Sequence, residues 1–450
     1  MQTPLIPATE YAARRRRLLD QLGNDAIAIV PSGSLKVRNR DAEYPFRQDS
    51  DFHYLTGFNE PEAVAVFAPN REGGEFVLFC REKNPAMERW TGLRAGLEGA
   101  QALHGADVAY PIAELAAIMP HLLTGRDQVH YDLGANPEFD QQMIGWINQL
   151  RAKARAGIRA PHAIVMLDRI LHDMRLFKSE AEIAVMRYAA QVSAQAHTRA
   201  MQVCQPAMFE YQIEAEFLHI FRQHRMDCAY TTIVGGGKNA CILHYIENNE
   251  ILRDGDLLLI DAGAEHDNYA ADITRTFPVN GKFSPEQRAL YQLVLDAQKA
   301  AIDQAVAGKT WDDPHQAAVK VLAQGLLDLG ILSGTLEAAM TAPPVVEGEP
   351  PQEAPYRQFY MHKTGHWLGM DVHDVGDYKI GDAWRTLEAG MVLTVEPGLY
   401  ISPAENVDPK WWNIGIRIED DVLITAEGNE ILTRDVVKEI ADIEALMANH

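Results

Sequence analysis

One predicted β-hairpin constrains the fold more than any other feature of the chain. Two apolar runs, Leu257–Ala262 and Ile273–Val279, flank the polar stretch Glu265–Asn268, as two strands flank a turn. If the turn centres on the middle two residues of this stretch, Asp261 lies directly opposite Asp272, with Cβ atoms about 5 Å apart. Two carboxylates on one apolar face repel each other, and a cation between them relieves the repulsion. The pattern therefore indicates either a metal site or a strand end at which one aspartate faces solvent.

Two further strands also end in a carboxylate. The runs LTVE and IGIRIE place Glu396 and Glu419 at the ends of apolar segments, and Pro397-Gly398 breaks the chain sharply after the first of them. A buried glutamate at such a position either pairs with a cation such as Arg417 or serves as a metal ligand.

Histidines are concentrated in one short segment. His362, His366 and His373 lie within twelve residues, beside glycines that argue against a helix, so a loop or extended segment is expected. The spacing lacks the glutamate of an HExxH zinc motif. His244, in the run ILHY, stands alone after a glycine-rich turn, and this pattern by itself favours a structural histidine over a functional one.

Together these residues predict a metal-dependent hydrolase. Hard carboxylate oxygens with one imidazole suit Mn²⁺ or a similar divalent ion better than a thiolate zinc site does. Two aspartates and two glutamates suffice for two ions bridged by carboxylates, and such centres activate water. Two other catalytic motifs are absent from the sequence. Gly235–Lys238 is followed by Asn239 and not by the serine or threonine of a phosphate-binding P-loop, and the chain has no GxSxG nucleophile elbow.

The strand and helix pattern divides the chain in two. Residues 1–173 alternate buried strands at 25–30, 63–68 and 76–80 with helices, which is typical of an α/β domain. Residues 174–450 group their strands and helices, which favours an α+β domain with an antiparallel sheet covered by helices. Ser179 and Glu182 predict a capping box at the start of a long helix. Five prolines in Thr341–Arg357 predict a loop.

Charge and cysteine content limit the partners and the compartment. The 41 Lys and Arg residues against 63 Asp and Glu residues give a formal charge of −22, which argues against general nucleic-acid binding. The four cysteines form no CxxC pair and predict reduced thiols. With no apolar run long enough for a signal peptide or a membrane span, we expect a cytoplasmic protein. The run Arg14–Arg17 is expected on an amphipathic helix with its arginines in solvent.

The segments that contain these carboxylates and histidines resemble a known family. The ordered set DAG…ADITRTF, HWLGMDVHDVG, VLTVEPGLY and GIRIEDDVLIT is similar to the pita-bread metallopeptidases, and especially to the bacterial Xaa-Pro aminopeptidases (aminopeptidase P). The segment TGFNEPEAV resembles the N-terminal domain of that family, and MRLFKS resembles the entry to its catalytic domain. The resemblance implies a curved, antiparallel pita-bread catalytic domain after an α/β N-terminal domain.

The resemblance also implies a role for each site residue. Asp261 would bind one metal ion, His366 and Glu396 the other, and Asp272 and Glu419 would bridge both. His244, His362 and His373 would line the active site, His244 and His373 orienting the substrate carbonyl. Glu396 would accept the proton of the attacking water. Tyr400 and Arg417 would line the pocket or support the ligands, and Trp90 would reach a substrate site, in its own subunit or a neighbouring one. Lys363 departs from the family, which commonly has a small residue there.

The implied reaction is release of an N-terminal residue that precedes proline. Hydroxide from a dinuclear centre, expected to hold Mn²⁺, would attack the carbonyl carbon. The family also implies a homo-oligomer, a dimer or tetramer. The principal alternative is a prolidase, which recognises the free carboxylate of an Xaa-Pro dipeptide. A metal-free binding protein would be expected to lack some of the ligands.

Overall fold

The chain forms two units, which are described separately. The computed structural model describes residues 3–344 and 350–448. One unit contains Leu5–Arg175, and the other contains the chain from Leu176 on, together with the N-terminal segment up to Pro4. The boundary placed between residues 173 and 174 on sequence stays a prediction.

The N-terminal unit is built on a mixed sheet. Its strands are β1 (Ala26–Pro31), β2 (Val37–Asn39), β3 (Ala42–Glu43), β4 (Val64–Phe67), β5 (Phe76–Cys80), β6 (Val108–Pro111), β7 (Gln128–His130) and β8 (Ala163–Val165). Its helices are α1 (Ala8–Gln21), α2 (Ser50–Thr56), α3 (Pro85–Thr91), α4 (Gly96–Ala102), α5 (Leu115–Leu123), α6 (Pro137–Arg151) and α7 (Asp168–Leu176). The sheet order is β6-β5-β4-β1-β7-β8, with β4 antiparallel to β1 and β5 and the other neighbours parallel.

The prediction that the arginine run faces solvent is wrong for two of its members. Arg14 is fully buried and Arg15 is 8% exposed. Arg14 donates to the carbonyl of Tyr54 and Arg15 to that of Leu55, so both side chains complete the C-terminal end of α2. Their guanidinium groups also lie over the rings of Tyr54 and Phe76. An arginine can be buried in this way because carbonyl oxygens and aromatic faces replace its hydration.

The C-terminal unit contains the remaining elements. Its strands are β9 (Asp227–Cys228), β10 (Ile233–Gly236), β11 (Leu257–Asp261), β12 (Ala264–His266), β13 (Tyr269–Ala270), β14 (Thr274–Pro278), β15 (Lys379–Ile380), β16 (Ala383–Trp384), β17 (Val392–Val395), β18 (Gly398–Ile401), β19 (Ile414–Arg417), β20 (Asp420–Ile424) and β21 (Asn429–Ile431). Its helices are α8 (Glu180–Val203), α9 (Glu210–Gln223), α10 (Pro285–Gln304), α11 (Asp313–Asp328), α12 (Leu336–Met340) and α13 (Ile440–Met447).

The predicted antiparallel arrangement is confirmed. Strand β11 pairs with β10 and β14, β20 pairs with β17 and β21, and β18 pairs with β19, all antiparallel. Helices α8, α10 and α11 supply apolar residues to the same core as these strands. Ser179 and Glu182 form the expected capping box of α8.

The predicted register of the central hairpin is wrong by two residues. Strand β11 pairs with β14 so that Asp261 lies opposite Thr274, not opposite Asp272. The turn is centred on Asp267 and Asn268, whose φ angles are +48° and +66°. Aspartate and asparagine tolerate this left-handed conformation better than most residues, which moves the turn one position towards the C-terminus.

The proline-rich segment is a loop where it is described. Residues 341–344 and 350–354 have no regular structure, a short 3₁₀ helix follows at Pro355–Gln358, and residues 345–349 of the predicted loop lie outside the described residues. Among the helices of the described ranges, none is both long and apolar enough to cross a membrane.

Candidate metal centre

The ends of four strands converge on one cluster of carboxylates. Asp261 is the last residue of β11, and Asp272 lies just before β14. Glu396 follows β17, and Glu419 lies between β19 and β20. His366 joins them because its backbone carbonyl accepts a hydrogen bond from Thr394 of β17. The four carboxylates thus stand at or next to strand ends, and the hydrogen bond to β17 places His366 beside them.

Three of these residues could ligate a single ion. One ligand atom each from Asp272, His366 and Glu419 lies within 4.8 Å of the others. Glu396 Oε1 lies 3.7 Å from His366 Nε2, and Asp272 Oδ2 lies 3.5 Å from the same nitrogen. Such carboxylate oxygens around one imidazole nitrogen form a donor set suited to a hard divalent cation.

The imidazole of His366 is oriented for ligation. Its Nδ1 lies 3.0 Å from the carbonyl oxygen of Trp367, which can only accept, so Nδ1 carries the proton and Nε2 points at the carboxylates. A metal-binding histidine is typically held by this type of bond. Burial opposes protonation, but Asp272 and Glu396 outweigh it and raise the pKa of His366 to about 9. A proton therefore occupies the Nε2 position when no cation does.

The charges of the cluster need a cation. Asp261, Asp272, Glu396 and Glu419 carry four potential negative charges, and Arg417, which lies among them, contributes one positive charge. Burial and mutual repulsion raise the pKa of Glu396 to about 7 and that of Glu419 well above its ordinary value. Buried carboxylates that repel each other destabilise a protein unless a counterion is present. The residues therefore fit two divalent ions, whose four positive charges exceed the net −3 of the cluster.

Asp261 is held from two sides. Arg417 Nη2 donates to its Oδ2 at 2.6 Å, so the ion pair that Arg417 forms is with Asp261. The hydroxyl of Tyr230 lies 2.6 Å from Asp261 Oδ1 and 2.5 Å from Asp272 Oδ1. Tyr230 thus bridges the two aspartates. It could not be identified from the sequence, because it lies in a loop outside every recognised motif.

Glu419 is positioned by threonine and by Arg417. Thr274 donates to Glu419 Oε2 at 2.6 Å, and Arg417 Nε donates to the Thr274 hydroxyl at 3.0 Å. Thr274 was also not predicted as a site residue from the sequence. It occupies the pairing position opposite Asp261 that had been assigned to Asp272.

His362 belongs to a hydrogen-bonded chain. Its Nδ1 lies 2.7 Å from the carbonyl of Lys363, so Nδ1 is the protonated nitrogen, and Nε2 accepts from the Tyr400 hydroxyl at 2.9 Å. Arg417 Nη1 in turn donates to the Tyr400 oxygen at 3.0 Å. Burial and the charge of Arg417 lower the pKa of His362 to about 3, so the ring is neutral at physiological pH. Both of its nitrogens are already engaged.

His244 and His373 line the open side of the site. Both face a cavity of about 860 Å³, which also exposes the carboxylate cluster. Within the described ranges neither imidazole has a hydrogen-bond partner, although the His373 ring packs 4.3 Å from that of His366, centroid to centroid. The rest of the cavity wall is largely apolar and includes Ile233, Leu243 and Val372.

Most of the predicted site residues share this cavity, and two do not line it. It is lined by His244, Asp261, Asp272, His362, His366, His373, Glu396, Arg417 and Glu419. Tyr400 lies behind His362, as described above. Trp90 belongs to α3 of the N-terminal unit, with its side chain 86% exposed. Lys363 also faces the cavity, and its Nζ lies 3.4 Å from Asp312 Oδ1.

Comparisons with known proteins show which family the chain resembles. Residues 184–426 match the family described as metallopeptidase family M24, and residues 11–131 match the aminopeptidase P N-terminal domain. The chain is 44% identical to the Xaa-Pro aminopeptidases of Haemophilus influenzae and Escherichia coli, over 98% of both chains in each case. The structure is similar to that of Pseudomonas aeruginosa aminopeptidase PepP, with 53% identity over 99% of both chains and a TM-score of 0.94. It is also similar to zinc-substituted E. coli aminopeptidase P in complex with product, with 43% identity over 99% of both chains and a TM-score of 0.93.

Proposed function

The chain belongs to metallopeptidase family M24, and from this premise we propose that it is a metal-dependent aminopeptidase that releases the N-terminal residue from peptides with proline in the second position. The observation that carries the proposal is the convergence of Asp272, His366 and Glu419 on one point, with Asp261 and Glu396 beside them. Whole-length similarity to Xaa-Pro aminopeptidases, including the N-terminal domain, favours this activity over that of a prolidase.

The five clustered side chains would hold two divalent ions. We assign Asp261, Asp272, His366, Glu396 and Glu419 as ligands, since their oxygens and one oriented imidazole nitrogen face a common space. The bound ions would supply Lewis acidity and an activated water. We propose Mn²⁺ as the ion, because hard oxygen donors dominate the set.

Glu396 is suited to accept the proton of the attacking water. Its carboxylate belongs to the cluster, with Oε1 3.7 Å from His366 Nε2, and so lies beside the space that the ions and their water would occupy. Its side chain is 17% exposed, so it remains accessible from the cavity. After attack, the same carboxyl group can return the proton to the proline nitrogen as the peptide bond breaks.

His244 and His373 are suited to hold the substrate carbonyl. Both imidazoles face the cavity, and no residue in the described part of the chain forms a hydrogen bond with their nitrogens. Each can therefore donate a hydrogen bond to the oxygen on which negative charge develops. His362 cannot do so without breaking its bonds to Lys363 and Tyr400. We therefore assign His362, Tyr400 and Arg417 to shaping the site and His244 and His373 to contacting the substrate.

The preference for proline is consistent with the cavity wall. Proline has no amide hydrogen and presents a compact apolar ring, so its recognition requires apolar contact in place of hydrogen bonding. Ile233, Leu243 and Val372 provide such a surface next to the carboxylates.

Three broader properties belong to the same proposal. We propose a homo-oligomer, supported by the exposed apolar side chains Trp90 (86%) and Leu93 (90%). The substrate-binding role of Trp90 stays a prediction. We also propose a cytoplasmic location, which the four free cysteines support. Sedimentation of the purified protein and cell fractionation test these two points.

Matched peptides test the activity. The purified protein should cleave Ala-Pro-Ala at least as fast as Ala-Pro, leave Ala-Ala-Ala largely intact, and lose activity when a chelator removes the metal. Restored activity on adding Mn²⁺, more fully than on adding Zn²⁺, would support the assignment of the ion. Cleavage of Ala-Pro alone would identify a prolidase, and no cleavage of any Xaa-Pro peptide by the metal-loaded protein would refute the proposal.

A further inference from the structure

We infer that Glu210 is a positioning residue for His244, through the loop that carries this histidine; the inference rests on the proposed function. Glu210 is the first residue of α9, and its side chain is fully buried. It does not line the cavity. A buried carboxylate so placed is stable only if its oxygens are fully hydrogen-bonded.

Both oxygens of Glu210 bind the His244 loop, residues 236–250. Oε1 accepts from the backbone nitrogen of Gly236 at 2.8 Å and from Asn239 Nδ2 at 3.0 Å. Oε2 accepts from the Tyr245 hydroxyl at 2.8 Å and from the backbone nitrogen of Glu250 at 2.9 Å. The four donors include both ends of the loop and the residue next to His244. One carboxylate therefore closes the loop and fixes its middle.

The position of His244 depends on this closure. The imidazole is exposed to the cavity, and no side chain in the described ranges forms a hydrogen bond with it. Its location is therefore set by the loop backbone. Tyr245, the adjacent residue, is 6% exposed and is tied to Glu210 through its hydroxyl. Loss of a bond to a charged group at this point should move the imidazole relative to the substrate carbonyl, and small displacements of such a group strongly reduce catalysis.

The chain offers suitable variants for a test. E210Q keeps the size of the side chain but replaces one acceptor oxygen with an amide that must face a donor. Y245F removes only one of the four bonds. The matched control is E216Q, because Glu216 lies on the same helix and pairs with Arg199 at the surface, outside the loop.

A double-mutant cycle with H244A provides the decisive readout. We expect E210Q to lower kcat/KM for Ala-Pro-Ala about tenfold, mainly through kcat, and E216Q to leave it unchanged. In the H244A background, E210Q should lower kcat/KM no more than about twofold, because the group that it positions is absent. Amide hydrogen exchange at residues 236–250 should be faster in E210Q than in E216Q.

Three results would overturn the inference. One is wild-type kinetics in E210Q, another is unchanged amide exchange, and the third is a further tenfold loss on combining E210Q with H244A. If E210Q does not fold, the same cycle with Y245F decides the question. Absence of cleavage by the wild-type protein would instead refute the proposed function, whereas additive effects in active variants would refute only the role of Glu210.

Discussion

Removing the Tyr230 hydroxyl should weaken metal binding. This hydroxyl lies 2.6 Å from Asp261 Oδ1 and 2.5 Å from Asp272 Oδ1, and it holds the two carboxylates at a fixed separation. Burial and the two negative charges raise its pKa well above the ordinary value, so it remains a proton donor over the whole assay range. In Y230F the aspartates lose this donor while the size of the ring is retained.

The expected magnitude follows from the strength of such bonds. A hydrogen bond to a charged group contributes about 1.5–3 kcal/mol, which corresponds to a tenfold to hundredfold change in an equilibrium constant. Y230F should therefore bind Mn²⁺ about 10- to 100-fold more weakly, with kcat/KM reduced at limiting metal and partly restored at saturating metal. Titration of the metal-free protein with Mn²⁺, followed calorimetrically and by activity, measures both quantities.

A matched variant separates this effect from a general loss of stability. Tyr131 donates a similar bond of 2.7 Å to Asp140 in the N-terminal unit. Y131F should lower the free energy of unfolding without changing the affinity for Mn²⁺. Wild-type metal affinity in Y230F, or an equal loss of affinity in Y131F, would refute the argument.

Three other predictions concern the proton acceptor, pH and a helix cap. E396Q should lower kcat at least about a hundredfold with the fold retained, because the amide cannot accept the proton of water. The control E388Q, at an exposed position, should keep the wild-type kcat. Steady-state kinetics measures kcat, and circular dichroism checks that the fold is retained. Burial, reinforced by Arg14 and Arg47, lowers the pKa of His53 to about 3, so the unfolded chain binds the proton more readily. The neutral, buried imidazole therefore contributes its full stabilisation above pH 7. This contribution decreases as the pH falls from 6.5 towards 3, and about 2 kcal/mol of it is lost at pH 5. In urea unfolding, the free energy of unfolding should decrease less between pH 7.5 and pH 5 in H53Q than in the wild type. S179A should destabilise the protein by about 1 kcal/mol, since it removes the N-cap of α8, and equal unfolding midpoints for variant and wild type would contradict this.

Strongly patterned elements could be predicted from sequence. The apolar run at Phe76–Cys80 forms a strand with those bounds, and Ser179 forms the expected cap. The burial of Arg14 could not be predicted, because it depends on the carbonyl of Tyr54, which is distant in sequence and close in space. Local charge patterning indicates solvent exposure unless such a long-range partner exists.

The supporting residues of the metal centre were also beyond sequence reasoning. Three residues support the site through a single hydroxyl or carboxylate group: Tyr230, Thr274 and Glu210. Because these residue types are common in loops, strands and helix termini, their identity alone does not mark them as part of a site. Their partners lie between 26 and 145 residues away along the chain. The five ligands occur in family motifs, so a resemblance to the family can indicate them residue by residue. Thr274 lies in one of these motifs, but its residue type does not single it out as part of the site.

The error in the hairpin register shows why a metal site could still be inferred from a wrong pairing. Side chains along a strand alternate between faces, so a shift of one residue would have moved Asp272 to the opposite face of the sheet, whereas the actual shift of two residues leaves it on the same face as Asp261. The two aspartates become diagonal neighbours, which are still close enough for one small group to contact both. The Tyr230 hydroxyl does so in this structure. Any two-residue turn pairs an odd-numbered residue with an even-numbered one, so Asp272 lies on the same face as Asp261 wherever such a turn is centred. The inference therefore depended on the odd separation of the two aspartates in the sequence and not on the exact position of the turn.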